Sequence, residues 1–506
     1  MNAMKTRLDT ALGKLTMYRL VLWVLAVLAV YSMVLNLLGW LTFGLPEMLA
    51  HLGLCLGLTY GSNSLMAKLF KVHPHSESSL ITGLLLYFLF WPTELNPSMR
   101  VSDVAGIALA CLLATASKYV LAFRGRHILN PAAAGAFITG LTGLNIATWW
   151  AATPAMLWLL VPGVVLVVRR TRKSLMAAVF MFTSTMIIVI QLLPTVADPG
   201  AALWQTLAQR PLLFFVGFML TEPLTLPPRR RQQLALAVVV AVLFAVPYHL
   251  GVIANSPELA LLVGNFVAFL LGQRGAVLLT FTGSRPLSTS ATEFRFKPGR
   301  PVRHAPGQFI ELHLPHRRSD GKGQRRVFSI TSAPGSPEVK VGVGTAGPVS
   351  AAKQSLLALE PGDVVSATAI GGDFLPPHNP DTPVLLIAAG IGITPFMAHL
   401  AQASDGKRDA VLLYLARSNT ELSYSPELEA ASARIIARTS DGSAPAPFME
   451  NAGPHRIDHR RLRDLVPDIT ARDVYISGSP SAVSFLRTAA RTAGAKRIQT
   501  DSFAGY

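Results

Sequence analysis

Charge-free apolar runs dominate the chain up to about Gly275, and no other feature restricts its fold as strongly. They cover residues 20–46, 48–67, 78–93, 104–117, 128–168, 174–196, 211–221, 232–247 and 259–273, and 128–168 is long enough for two helices. A helix needs about 20 residues to cross a bilayer. About ten helices are therefore expected, the shorter ones tilting, borrowing flanking residues or breaking beside a cavity. The 51% hydrophobic fraction of these 506 residues is concentrated here, which makes residues 20–274 a polytopic all-α membrane domain and leaves the rest soluble. One core would not hold the whole chain in any case, since single cores stop growing at about 250–300 residues.

The net charge of +17 follows the same division. Lys5, Arg7, Lys14 and Arg19 precede the first run. Lys68 and Lys71 follow the second, Lys118, Arg124 and Arg126 the fourth, Arg169, Arg170, Arg172 and Lys173 the sixth, Arg229, Arg230 and Arg231 the eighth, and Arg274 the tenth. The opposite loops carry Glu47, Glu94, Asp103, Asp198 and Glu258. This alternation places both termini, including the segment 1–19, in the cytoplasm of a multi-pass inner-membrane protein. The basic charge reads as topology, and no recognition motif points to nucleic acid. Cys55 and Cys111 are too few for a cysteine-ligated cluster or zinc site. The first run is too long for a removed signal peptide.

Three membrane segments differ from plain lipid-facing helices. In the first, Asn130-Pro131-Ala132-Ala133-Ala134-Gly135, a proline opens a helix lined by small residues that permit close packing. The second is Thr221-Glu222-Pro223-Leu224-Thr225-Leu226-Pro227, a carboxylate and two prolines at the inner side. The third is Ala152-Thr153-Pro154, a helix start at the outer side. Together with Gly264-Asn265, they resemble the RnfD/NqrB family, the homologous membrane subunits of the Rnf complex and of the sodium-pumping NADH:quinone oxidoreductase. The resemblance implies a ten-helix, internally duplicated flavoprotein, with FMN or riboflavin held near Asn130, Thr153 and Glu222. The family attaches FMN to a threonine within an Asp-x-x-Ser-Gly-Ala-Thr-type motif. Thr153 keeps that position, but Ala147, Trp150 and Ala151 replace the Asp, Ser and Gly, so the flavin here is expected to be non-covalent.

Beyond residue 275 the pattern changes to short alternating strands at 293–296, 308–314, 326–330 and 339–343, which suggests a small antiparallel β-barrel over 275–380. Residues 381–506 instead alternate strand and helix, with strands at 384–388, 410–415 and 474–477, the mark of a parallel α/β nucleotide-binding domain. Between the first of these strands and its helix lies Ala389-Gly390-Ile391-Gly392-Ile393-Thr394-Pro395. Glycine lets the backbone approach a phosphate closely, and the helix N-terminus offers unpaired N–H groups.

The order of short elements carries more than any one of them. Arg326-Val327-Phe328-Ser329 comes first, then Gly347-Pro348-Val349-Ser350, Gly372-Asp373-Phe374, the glycine turn, Ser477-Gly478-Ser479-Pro480 and Asp501-Ser502-Phe503-Ala504-Gly505-Tyr506. This series resembles the ferredoxin–NADP reductase superfamily and implies bound FAD with NADH or NADPH as hydride donor. By that resemblance Arg326 pairs with an FAD phosphate, a task suited to a planar permanent cation. Phe328 packs on the flavin, Ser329 bonds near its N5, and Gly347, Val349 and Ser350 serve the pyrophosphate. Gly390, Gly392, Thr394 and Pro395 shape the NAD(P) pocket, Ser477 and Gly478 line the nicotinamide site, and Asp501, Phe503 and Tyr506 close over the flavin. Arg417 and the adjacent Ser418 are placed to meet a 2′-phosphate, yet NADH and NADPH both remain open. Ser329, Ser477 and Asp501 are the expected catalytic residues.

The sequence thus predicts a membrane-bound oxidoreductase that passes electrons from NAD(P)H through FAD and membrane flavin to a quinone or an extracytoplasmic flavoprotein. The alternative is a redox-driven sodium or proton pump, for which Glu222 is the main intramembrane carboxylate. His51, His127 and His249 are scattered and do not form paired haem ligands.

Overall fold

The computed structural model describes residues 17–70, 76–94, 101–123, 126–196, 198–251, 253–272, 277–314, 324–345, 347, 350–403 and 408–503. The chain divides into two units, Met1–Gly275 and Ala276–Tyr506.

The first unit is helical. It runs through α1 (Met17–Leu37), α2 (Leu45–Leu69), α3 (Ser76–Leu89), α4 (Val101–Val120), α5 (Pro131–Leu141), α6 (Leu157–Thr171), α7 (Ser174–Leu192) and α8 (Pro199–Gln209). Then come α9 (Leu212–Phe215), which continues as a π-helical turn over Val216–Leu220, α10 (Arg230–Ala245) and α11 (Pro257–Leu270). Two-residue hairpins of β1 (Ala122–Phe123) with β2 (Arg126–His127) and of β3 (His249–Leu250) with β4 (Ile253–Ala254) interrupt the series. Among the described residues four helices, Met17–Leu37, Val101–Val120, Pro154–Thr171 and Ser174–Leu192, are long and apolar enough to cross a membrane by themselves. Helix α8 was not expected, because its apolar stretch 199–204 is short before Gln205 and Thr206 interrupt it. Asp198 starts it by accepting N–H bonds from Gly200 at 3.2 Å and Ala201 at 2.8 Å.

The apolar side chains of this unit point outward as well as inward. Trp23, Val27, Val30, Val34 and Leu37 of α1 are 45–70% exposed at helical spacing, as are Leu175, Phe182, Met186 and Ile190 of α7 at 46–70%. Close packing inside relies on small residues. At Gly135 of α5 a methyl group would lie 2.3 Å from the Ala110 carbonyl oxygen of α4, the close approach its Ala/Gly row permits.

The second unit contains two six-stranded sheets. The first has the order β8-β7-β10-β5-β6-β9 and is antiparallel throughout. Its strands are β5 (Val277–Ser288), β6 (Ala291–Pro298), β7 (Phe309–His313), β8 (Arg325–Ser329), β9 (Val339–Gly344) and β10 (Val364–Gly371). An isolated bridge between Ile330 and Val341 connects its two outer strands. Strands β5 and β10 were not foreseen. Register shifts at Phe281/Gly283, Pro286/Ser288 and Ala367/Ala369 break the alternation by which a strand is read.

The second sheet is parallel, ordered β14-β13-β12-β11-β15-β16. It comprises β11 (Val384–Ala389), β12 (Ala410–Ala416), β13 (Arg434–Thr439), β14 (Glu450–Asn451), β15 (Asp473–Gly478) and β16 (Arg497–Ser502). Val384, Leu386 and Ala388 join the core on one face, Leu385 and Ile387 the core on the other. Burial on both faces explains why β11 is a continuous apolar run. The unit's helices are α12 (Ala351–Leu357), α13 (Thr394–Ala403), α14 (Ser425–Glu429), α15 (His459–Leu465) and α16 (Pro480–Ala493).

Candidate functional site

The glycine turn joins β11 to α13 and brings the distant serine motif to its side. Gly390 has φ 57°, a left-handed conformation natural to glycine. At Gly392 a methyl group would sit 2.4 Å from the Ser477 carbonyl oxygen, so only glycine lets the turn approach β15 this closely. The Thr394 hydroxyl closes the turn by donating to the Ile391 carbonyl at 3.0 Å, and Pro395 follows in the first turn of α13. Ser477 pairs in register with Ala388 of β11 on one side and with Asp501 of β16 on the other. Its hydroxyl is buried and has no hydrogen-bond partner. The Phe503 N–H donates to the Gly478 carbonyl at 2.9 Å. Gly390, Gly392, Thr394, Ser477, Gly478, Asp501 and Phe503 thus gather at the carboxyl ends of parallel strands, where open α/β sheets bind their ligands.

On the antiparallel sheet, Ser329 pairs with Phe309, Phe328 with Ile310 and Arg326 with Leu312. All three β8 side chains are buried, at 4%, 6% and 2% exposure. Phe328 is part of the sheet's apolar core with Ile310 and Val341, so its ring already serves packing. Arg326 donates to the Arg325 carbonyl at 2.9 Å. Gly347 has φ 78°. Ser350 caps α12, its hydroxyl oxygen accepting the Lys353 N–H at 3.4 Å. Arg417 directly follows β12 with an exposed side chain, and its N–H donates to the Glu421 carboxylate at 3.4 Å. Val349 and Tyr506 lie outside the described residues.

In the helical unit, two of the three singled-out segments meet. The Asn130 amide donates to Glu222 at 3.0 Å, its carbonyl oxygen accepts the Ala133 N–H at 3.1 Å as the cap of α5, and its own N–H donates to Asn265 of α11 at 2.7 Å. His127, one of the scattered histidines that do not pair as haem ligands, lies 3.4 Å from the other Glu222 oxygen. Its place three residues before Asn130-Pro131 was the available signal. A small cavity is lined by Tyr18, Thr82, Asn130, Pro131, Phe218 and Glu222 among others. Thr153 is not among the lining residues. Its hydroxyl is buried without a hydrogen-bond partner just before the 3-10 turn Pro154–Met156 that leads into α6.

A family described as oxidoreductase NAD-binding domain matches residues 386–488, which run from within β11 into α16 and include Ser477. Ferredoxin–NADP reductase B of Sorangium cellulosum is 31% identical over 208 residues, which cover 40% of this chain and 82% of that protein. The chain belongs to the ferredoxin–NADP reductase family. Its second unit is accordingly an FAD-dependent NAD(P)H oxidoreductase module. Flavohemoproteins of Bacillus subtilis and a Burkholderia strain are 27% and 26% identical over 39% and 45% of this chain, and the chain spans only 51% and 59% of their length. A ferredoxin NADP+ reductase from Neisseria gonorrhoeae, solved with bound FAD and NADP, is 20% identical with TM-score 0.38, covering 45% of this chain and 98% of that one. These four matches cover at most 45% of the chain.

Proposed function

We propose that this chain is a membrane-bound flavin oxidoreductase. It takes a hydride from NAD(P)H at the cytoplasmic face and delivers electrons, through FMN or riboflavin held non-covalently in the helical unit, to a quinone or an extracytoplasmic flavoprotein. The carrying observation is the outward apolar surface of the helices fused to a ferredoxin–NADP reductase module. Nine large apolar side chains on α1 and α7 alone stand exposed. At about 1.5–3 kcal/mol for each side chain removed from water, they represent on the order of 10 kcal/mol that a bilayer would supply.

The residues present fit both cofactors of the reductase module. Gly392 leaves a cradle that any side chain would fill, the buried Ser477 hydroxyl awaits a partner, and Arg326 is a buried cation suited to a phosphate. Bound FAD would accept two electrons together and release them singly. Ser329 would orient the flavin edge, Ser477 and Gly478 the nicotinamide, and Asp501 with Phe503 would exclude water. In the helical unit, the cavity lined by Asn130 and Glu222 offers an amide and a carboxylate as polar partners for a flavin ring.

The test uses sealed proteoliposomes with the reductase module outside and an impermeant oxidant trapped inside. NAD(P)H added outside should reduce the trapped oxidant. Arg326→Ala should slow all reduction, whereas Asn130→Ala should spare an external dye and abolish transfer inward. A trapped oxidant that stays oxidised while the external dye is reduced would leave the helical unit as an anchor and sink the proposal.

A further inference from the structure

Tyr424, just before α14, has the left-handed backbone with φ 65° although it is bulky, and it is only 2% exposed. Such a conformation persists where the surroundings over-determine it, and such sites cluster at functional positions. Its phenol lies against Gly342 of β9, where an added methyl group would be 2.3 Å from the Tyr424 oxygen and 2.8 Å from Thr394 Cγ2. Gly342 therefore marks the point where the antiparallel sheet, the glycine turn's helix and Tyr424 touch. Burial first, and then the Glu293 and Glu427 carboxylates, push the phenol up, so it stays neutral.

The carboxylates belong to an ionic seam. Glu293 of β6 is 2% exposed and is the register partner of Gly342. It accepts from Arg295 at 3.1 Å and lies 3.5 Å from Arg285 of β5, which also donates to Glu427 of α14. A carboxylate this buried needs its cations. Hydroxyls extend the seam. Ser423 donates to Ser288 at 3.0 Å, and the Thr289 N–H and hydroxyl both donate to the Thr420 carbonyl, at 3.2 Å and 3.1 Å. The β5–β6 hairpin is thus fastened to the segment 418–424 that follows β12.

The two ends of this seam matter chemically. Val341, beside Gly342, bridges Ile330, and Ile330 follows Ser329. Thr394, on the other side of Gly342, opens the helix of the nucleotide turn. We infer that Tyr424 and Glu293 are positioning residues that fix the Ser329 strand against the Thr394 turn and so set the separation across which hydride passes. The inference rests on the proposed hydride transfer.

The experiment compares the full-length FAD-loaded chain with Tyr424→Ala, Tyr424→Phe and Glu293→Gln. Flavin reduction by NAD(P)H is followed in single turnover, with the isotope effect of 4-deuterated donor, the long-wavelength absorption of the flavin–nicotinamide complex and amide exchange at residues 288–290. Misplacement by about 1 Å can cost about 100-fold, so Tyr424→Ala and Glu293→Gln should slow reduction by about 10- to 100-fold. FAD content and KM should hold, the long-wavelength band should weaken, exchange at 288–290 should quicken, and Tyr424→Phe should keep most of the rate. If Tyr424→Ala loses its FAD, Glu293→Gln, nearly identical in shape, carries the same test. Variants that retain FAD and react at the parental rate with an unchanged band overturn the inference. A parental chain whose flavin NAD(P)H does not reduce overturns the reductase reading instead.

Discussion

Gly392 and His399 show how single atoms decide the site. A methyl group at Gly392 would meet backbone, the Ser477 carbonyl oxygen at 2.4 Å and the Gly478 nitrogen at 2.7 Å, and backbone cannot swing aside. Overpacking of this kind costs about 1–3 kcal/mol. Gly392→Ala should therefore lower the melting temperature and raise KM for NAD(P)H while FAD stays bound, as steady-state kinetics and flavin content will report. His399 of α13 lies beneath the same turn, its ring among Phe374, Phe396 and Tyr475, with Nε2 3.1 Å from the Phe374 carbonyl oxygen. Burial lowers its pKa from 6.5 to about 4, so the folded unit keeps it neutral and lets Nε2–H donate to that carbonyl. In the unfolded chain it would bind a proton below pH 6.5. Its contribution is thus complete above pH 6.5 and is lost as pH falls toward 4, up to about 3 kcal/mol in all. Melting followed by FAD fluorescence should fall more steeply between pH 6.5 and 4 in the parental chain than in His399→Leu.

At the scale of elements, what could be read from the sequence depended on whether one periodicity governed a segment. Strand β11 was legible because both its faces are buried and its six residues are apolar or small. Strands β5 and β10 were hidden by their register shifts, and β16 by its exposed polar residues. The glycine turn was legible because glycine has few other reasons to recur after a strand. The left-handed Tyr424 was not, since neighbouring side chains rather than its own chemistry impose that backbone. Asn130-Pro131 was legible as a helix start, but its bonds to Glu222 and Asn265, 92 and 135 residues away, needed the fold. Those bonds give a prediction. Asn130→Ala removes the cap of α5, about 1 kcal/mol, and a donor to Glu222, about 1–3 kcal/mol more. The helical unit should melt earlier by scanning calorimetry, with dye reduction by NAD(P)H unchanged because the reductase module is a separate unit.

Over the whole molecule, charge and apolar surface together make a claim about orientation that neither makes alone. In the membrane proposed above, the exposed apolar stripes of α1 and α7 would face lipid, but stripes are indifferent to which end faces the cytoplasm. The loop charges break that symmetry, since Lys and Arg stay on the cytoplasmic side of a bilayer. With Arg169, Arg170, Arg172 and Lys173 at one end of α6 and Thr153 at the other, α6 should cross with Thr153 outward, and Gly44, ahead of α2, should also be outside. Labelling with an impermeant thiol reagent can read this in intact cells. Cys55 and Cys111 are fully buried, so the native thiols should stay silent. Gly44→Cys and Ala152→Cys should react from outside, and Lys71→Cys and Arg172→Cys only after the membrane is opened. Labelling of Lys71→Cys or Arg172→Cys in intact cells would invert the topology. NAD(P)H, which is cytoplasmic, would then lie across the membrane from the reductase module, and the chain could not draw its hydride from there.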